Sequence, residues 1–213
     1  MLRLLSSLCL TFLLLPACGD GLEQIDETDD QGYRVTYGID PETKLKQGPA
    51  REYDPEGTLT TEENYLDGKL DGERKLYGPD GKLIVLENYK ADRFEGEYLN
   101  FDSLGNVVLR GNYIGGAMNK EWYQYYADGG VKEVVTFVDN EENGPFREWH
   151  QNGNPKASGA YRNGDNEDGV LHLYTETGEL ERVMQCSLKM CMTFWTPDSN
   201  GVAPAGVDMS RPQ

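Results

Sequence analysis

The sequence predicts an all-β fold: an elongated antiparallel meander, or solenoid sheet, of about six two-stranded repeats of 24 residues. Three observations carry this. The first is self-similarity: GPAREYDPEGTL from Gly48, GERKLYGPDGKL from Gly72, GEYLNFDSLGNV from Gly96, KEWYQYYADGGV from Lys120, GPFREWHQNGNP from Gly144 and GVLHLYTETGEL from Gly169 start 24 residues apart, the last 25. The second is composition. With 25 Gly, 13 Tyr and 38% hydrophobic residues in 213, the chain suits many turns and half-exposed strands better than helices. The third is periodicity: Leu83, Val85 and Tyr89, or Val107, Leu109 and Tyr113, alternate as strand residues do, and no 3.6-residue stripe competes.

Taken in chain order, the sequence begins with an address. Arg3 is a minimal positive region, and Leu4 to Leu15 is an apolar run broken by Ser6, Ser7 and Thr11, too short to stay in a membrane as a span. It ends in Leu15-Pro16-Ala17-Cys18-Gly19, which resembles the lipobox of bacterial lipoproteins. The resemblance implies a signal peptide over 1–17 and acylation of Cys18, with several acyl chains giving a stable anchor. Asp20, Glu23, Asp26, Glu27, Asp29 and Asp30 then follow with no basic residue among them, so 18–31 is expected to be a lipidated cysteine and an acidic flexible linker.

The repeat domain is expected over 32–195. Tyr33-Arg34-Val35-Thr36-Tyr37 reads as a degenerate half-repeat covering the first edge, and the repeats fall near 48–71, 72–95, 96–119, 120–143, 144–168 and 169–195. The sixth position of each is aromatic: Tyr53, Tyr77, Phe101, Tyr125, Trp149 and Tyr174. Four residues later comes Gly57, Gly81, Gly105, Gly129, Gly153 or Gly178, in segments such as Asp54-Pro55-Glu56-Gly57 whose Pro presets a negative φ and whose Gly accepts a positive one. The return strand carries a second ring series, Tyr65, Tyr89, Tyr113, Phe137 and Tyr161, and pairs such as Asp67-Gly68 and Asn163-Gly164 reverse the chain again. One hairpin cannot bury its rings alone, so neighbours must pair edge to edge. About twelve strands at ~4.8 Å give a twisted sheet on the order of 55 to 60 Å long, with one face of each strand buried and the two ring series as its core.

The pattern Gly-x4-Tyr-x3-Gly-x-Leu with a trailing Asn-Tyr (Asn64-Tyr65, Asn88-Tyr89, Asn112-Tyr113) resembles the MORN-repeat variant of bacterial proteins labelled YwqK-family antitoxins, over about Gln47 to Cys186. The resemblance implies a scaffold or binding surface, or alternatively an immunity protein that neutralises a toxin. Contact with lipid headgroups, proposed for some MORN proteins, is opposed here by 37 acidic against 20 basic residues. The resulting charge of −17 also excludes a nucleic-acid binder, which must replace counterions with Lys and Arg. Membrane association is therefore expected through the lipid anchor alone, in the bacterial cell envelope.

At the far end, Cys186 stands where earlier repeats place an aromatic, and Cys191 follows at C-x4-C spacing. In an oxidising compartment these two are expected to form a disulfide that pins a terminal hairpin, with Phe194 and Trp195 packed over the last edge. Beyond Thr196 the tail, 196–213, is expected to be disordered. Nothing points to an enzyme, a cofactor or a metal. His150 and His172 match no metal-ligand spacing, neither G-x-S-x-G nor a phosphate-binding loop occurs, and Asp139 to Asn143 and Asp165 to Asp168 read as hairpin tips that fail calcium-loop spacing. The expected function is a non-catalytic protein-binding scaffold. Tyr98, Trp122, Tyr123 and Phe146, at positions that vary between repeats, are the candidate contacts for a protein partner.

Overall fold

The computed structural model describes residues 21–199, 201–202 and 204–212; Cys18 and the apolar segment before it lie outside them. Every regular element among the described residues is a strand. Two precede the repeats, β1 (Glu23–Thr28) and β2 (Arg34–Ile39). Repeat one is β3 (Lys46–Tyr53) and β4 (Leu59–Leu66); repeat two is β5 (Lys69–Leu70), β6 (Gly72–Tyr77) and β7 (Leu83–Lys90); repeat three is β8 (Arg93–Phe94), β9 (Gly96–Phe101) and β10 (Val107–Ile114). Repeats four, five and six are β11 (Ala117–Tyr125) with β12 (Val131–Val138), β13 (Glu141–Trp149) with β14 (Pro155–Tyr161), and β15 (Gly169–Tyr174) with β16 (Leu180–Ser187); β17 (Met190–Trp195) closes the order.

Each strand pairs antiparallel with the next, β5 and β6 sharing β4 and β8 and β9 sharing β7, so the sheet is one open meander. Fifteen strand positions at ~4.8 Å make it about 65 Å long, longer than twelve strands predict because β1, β2 and β17 add to it.

Two turns repeat throughout. In the first, Gly57, Gly81, Gly105, Gly129, Gly153 and Gly178 all take φ between 73° and 89°, and each donates to the carbonyl three residues back. That is a type I turn closed by a left-handed glycine. In the second, both central residues have positive φ: Asp67-Gly68, Ala91-Asp92, Gly115-Gly116, Asp139-Asn140, Asn163-Gly164 and Leu188-Lys189. Positive φ at both central positions twists the chain the way the flanking strands twist.

The acidic segment before the repeats is not the linker that its composition suggests. Residues Glu23–Thr28 pair with β2 along their whole length, from Glu23↔Ile39 to Thr28↔Arg34. Repulsion between its acids is offset by Arg34 of β2, which meets Asp26 at 2.6 Å, and by Lys44 in the connection from β2 to β3, which meets Glu23 at 2.8 Å, while Ile25 lies opposite Tyr37.

The core also departs from expectation. Side chains directly opposite on paired strands, and those two apart on one strand, share a face. By that rule the ring series divide between two faces of a single layer. Tyr65, Tyr89, Tyr113, Phe137 and Tyr161 stand on the front; Tyr53, Tyr77, Phe101, Tyr125, Trp149 and Tyr174 stand on the back. Of all these rings Trp149 alone is fully buried, at 0% exposure, and the others are half-buried. The dense packing lies toward the later repeats, with Val135, Phe146 and Ala157 in front and Val131, Val134 and Trp149 behind.

Nor is the end of the chain a loose tail. Met209 packs on the back cluster, Trp149 Nε1 donates to the Met209 carbonyl at 3.0 Å, and the Arg211 guanidinium donates to the Val131 carbonyl at 2.9 and 2.7 Å. One apolar side chain and three hydrogen bonds hold a segment whose overall composition is too polar to form a core of its own.

Candidate functional site

The front face is organised by one row of cross-strand pairs. The third position of each repeat faces its own return strand: Ala50↔Glu63, Arg74↔Glu87, Tyr98↔Gly111, Trp122↔Val135, Phe146↔Gly159 and Leu171↔Met184. The row is ionic at one end and apolar at the other. Arg74 lies 3.0 Å from Glu63 and 3.5 Å from Glu87, and the hydroxyls of Tyr65 and Tyr89 donate to the same two carboxylates at 2.7 and 3.1 Å. Burial, then the neighbouring Glu63 carboxylate, pushes the Tyr65 hydroxyl far above its ordinary pKa; burial also raises Tyr89. Both tyrosines therefore serve as neutral donors.

From repeat two to repeat four the rings run in contact. Centroids are 4.6 Å apart for Tyr89 and Phe94, 4.7 Å for Phe94 and Tyr113, 5.9 Å for Tyr113 and Tyr98, 5.7 Å for Tyr98 and Trp122, and 6.0 Å for Trp122 and Phe137. Phe94, in the short strand β8, belongs to this run although it falls in neither ring series of the sequence.

Of the four candidate contacts, Trp122 and Phe146 are each only 4% exposed and are packing residues rather than presented surface. The reason is a pair of glycines: a Cβ at Gly111 falls 2.0 Å from the Trp122 ring, and one at Gly159 falls 2.9 Å from the Phe146 ring. Each ring folds down onto the glycine of a neighbouring strand. Tyr98 remains half-exposed on the front and Tyr123 half-exposed on the back, so the structure leaves these two available. The signal for the ring-on-glycine pairs was in the sequence, where repeats three and five replace the Glu63 and Glu87 position by glycine.

The back face begins with ion pairs and ends under the C-terminal segment. Tyr77 donates to Glu62 at 2.8 Å, Arg51 meets the same carboxylate at 2.9 Å, and the Arg34 guanidinium lies 5.3 Å from the Tyr53 centroid. Tyr123 donates to Glu121 at 2.6 Å, and this bond together with burial raises its pKa to about 12. Over repeats four to six the segment Pro204 to Pro212 lies on the sheet, and its Val207 and Asp208 form one side of an open pocket of about 450 Å³ whose lining also includes Arg147, Ser158 and His172. Ser158 and His172 face each other across β14 and β15, at 3% and 5% exposure. Burial pushes the His172 imidazole below its ordinary pKa, so it is neutral at pH 7.

The other histidine, His150, sits in a first-type turn, with Nε2 3.3 Å from the Tyr174 carbonyl of the next repeat. Among the described residues no group of three or more His, Cys, Asp or Glu gathers as metal ligands would. The acidic tips have local partners, Lys189 for Asp165 at 2.7 Å and Arg162 for Asp168 at 2.9 Å.

Cys186 and Cys191 form a disulfide and are direct register partners on β16 and β17. The expected cap is thus a disulfide-pinned hairpin, but Phe194 does not pack over it. It is 54% exposed, and Met190 and Met192 are 76% and 75% exposed, on a last strand that among the described residues pairs with β16 alone.

Two of the hairpins match a known repeat family. Residues 46–67 and 70–91 match the family described as MORN repeat variant, and these are β3 with β4 and β5 with β6 and β7. The same strand, turn and return strand recur in the next four repeats. No curated protein sequence is significantly similar to the chain. Among solved structures, a mutant of S. aureus TarM in complex with Fondaparinux, alpha-GlcNAc-glycerol and UDP shares 14% identity at a TM-score of 0.33, over 56% of this chain and 21% of that one. A further crystal structure of TarM shares 12% identity at a TM-score of 0.24, over 68% and 21%. The chain spans about a fifth of their length, and likenesses of this size carry no argument.

Proposed function

We propose that the chain is a lipid-anchored bacterial envelope protein whose repeat sheet binds a protein partner without catalysing a reaction. The observation that carries the reading is the single-layer sheet, which presents half-buried rings on both faces over most of its length. A ladder of this kind gives a partner a broad, stiff surface of aromatic edges and fixed charges, and stiff surfaces lose little entropy on binding. The MORN-variant match supports a repeat-based scaffold. The anchor rests on the sequence ending Leu15-Pro16-Ala17-Cys18.

Site-specific photo-cross-linking tests it. A photoreactive residue at Tyr98 is expected to trap a discrete partner in intact cells, while the same group at Glu56, on an exposed turn, traps none. Absence of any adduct at Tyr98 and Tyr123 overturns the scaffold. The anchor has its own test: labelled fatty acid enters the wild-type chain and not Cys18→Ala, and equal labelling or none overturns it.

A further inference from the structure

The segment from Pro204 to Pro212 forms no strand, yet it is seated at defined points on the back of repeats four and five. Met209 fills the space above Val131, Val134 and Trp149, and its carbonyl receives the Trp149 indole N–H at 3.0 Å. Two residues on, Arg211 places Nε and Nη2 on one carbonyl, that of Val131. The seat is thus read by one flexible apolar side chain and one planar cation, at a spacing of two residues.

The repeats are modified where this segment lies. At the residue after each turn glycine, repeats one, two, three, five and six carry Thr58, Lys82, Asn106, Asn154 and Glu179; repeat four carries Gly130. Its φ is not in the left-handed region, so the backbone does not require glycine there. What the glycine leaves is room for Arg211: a Cβ at Gly130 would stand 2.4 Å from Arg211 Nη2 and 2.7 Å from its guanidinium carbon, so any larger residue would push the guanidinium off this seat. Trp149 is the second departure. It is the one indole in its ring series, hence the one member with an N–H to give to a passing carbonyl.

We propose that the back face of repeats four and five is a docking groove for an extended peptide segment of a partner, carrying methionine or a similarly flexible apolar residue and, two residues later, arginine. The chain's own C-terminal segment occupies this groove in cis and must be displaced. The proposal rests on the scaffold reading for the existence of a partner, but the groove itself is tested separately. Three features argue for exchange. The segment contributes no strand pairing, so its release leaves every ladder hydrogen bond intact. The neighbouring pocket of about 450 Å³ gives room for larger side chains than Val207 and Asp208. An acidic chain, with the Asp128 carboxylate held low first by the Gly130 N–H and then by Gln151 and the charge of Arg211, favours a cationic ligand at this point.

The experiment uses the full chain and a labelled synthetic peptide of sequence PAGVDMSRPQ. In the double variant Met209→Ala with Arg211→Ala, the resident segment is disarmed and the groove is intact. The peptide is expected to bind this variant at least tenfold more tightly than the wild type, with a shift in tryptophan emission. Adding Gly130→Asn, the residue that repeats three and five carry, is expected to abolish peptide binding while leaving the thermal transition in place. Equal binding to wild type and double variant, or none to either, overturns the groove. So does loss of cooperative unfolding in the double variant, which makes the segment a fixed part of the fold. A chain that binds peptide yet cross-links no partner keeps the groove and loses the scaffold; a chain that cross-links at Tyr98 and ignores peptide does the reverse.

Discussion

The ring of Trp122 lies on Gly111 of the adjacent strand, so close that a Cβ at Gly111 would fall 2.0 Å from it. The rigid indole has nowhere to yield, since it is 4% exposed and bounded by Tyr98, Tyr113 and Phe137. Gly111→Ala is therefore expected to cost about 3 kcal/mol, the upper end of overpacking penalties, with red-shifted emission as Trp122 is expelled. Gly159→Ala meets Phe146 at 2.9 Å and Leu171 at 3.1 Å and is expected to cost about 1 kcal/mol. Urea unfolding measures both, and equal costs would contradict the steric account.

Backbone strain predicts gains. The first residue of repeat four is Lys120, with φ 66°, where the other repeats place glycines of φ 76° to 134°. A left-handed conformation costs an L-residue roughly 1–2 kcal/mol, so Lys120→Gly is expected to stabilise by about 1 kcal/mol. The turn Leu188-Lys189, with φ 47° and 71°, is expected to gain about as much from replacement by Asn-Gly. A lowered urea midpoint in either variant would count against this reading.

How much of this was legible in the residues follows from what a repeat does. Register, both turn types and the ring series were readable because each position recurs and each has a local cause. The linker failed because composition describes a strand in isolation: Glu23 to Thr28 is acidic, but its partners Arg34 and Lys44 lie elsewhere in the chain. The tail failed likewise, since Met209 and Arg211 make a structure only with Val131 and Trp149. Trp122 and Phe146 looked like variable surface positions because the glycines beneath them lie on a neighbouring strand, 11 and 13 residues away. Departures from the repeat, Gly111, Gly130, Gly159 and Trp149, were the signal that non-local packing had overridden the pattern.

The Cys186–Cys191 bridge closes a loop of only six residues, for which chain-entropy reasoning gives about 2 kcal/mol. Its effect is expected to be local, because among the described residues β17 pairs with β16 alone. Hydrogen exchange with and without reductant should show amides of Met190 to Trp195 losing protection while those of β12 and β13 do not change. Uniform loss across the sheet would show that the bridge supports the whole array.

Stability against pH follows from Glu133, on the apolar part of the front face. Burial, first, and then the charges of Glu148 and Glu142 raise its pKa above the ordinary 4.5, with Lys132 and Lys156 opposing. Glu148 stands directly opposite it on β13 and is itself bonded to Lys156, so little of that cation is left for Glu133. A carboxyl with a raised folded-state pKa holds its proton more tightly folded than unfolded. Its contribution therefore favours folding near and below pH 4.5 and is lost as pH rises through the raised value. Asp40 and Asp102, held low by backbone hydrogen bonds, push the other way, but they cancel when wild type and variant are subtracted. Glu133→Gln is expected to be more stable than wild type at pH 7.5, with the difference shrinking to near zero at pH 4. Urea unfolding at a series of pH values measures that difference curve, and a difference that stays flat across it would mean that the Glu133 carboxylate is as well solvated folded as unfolded.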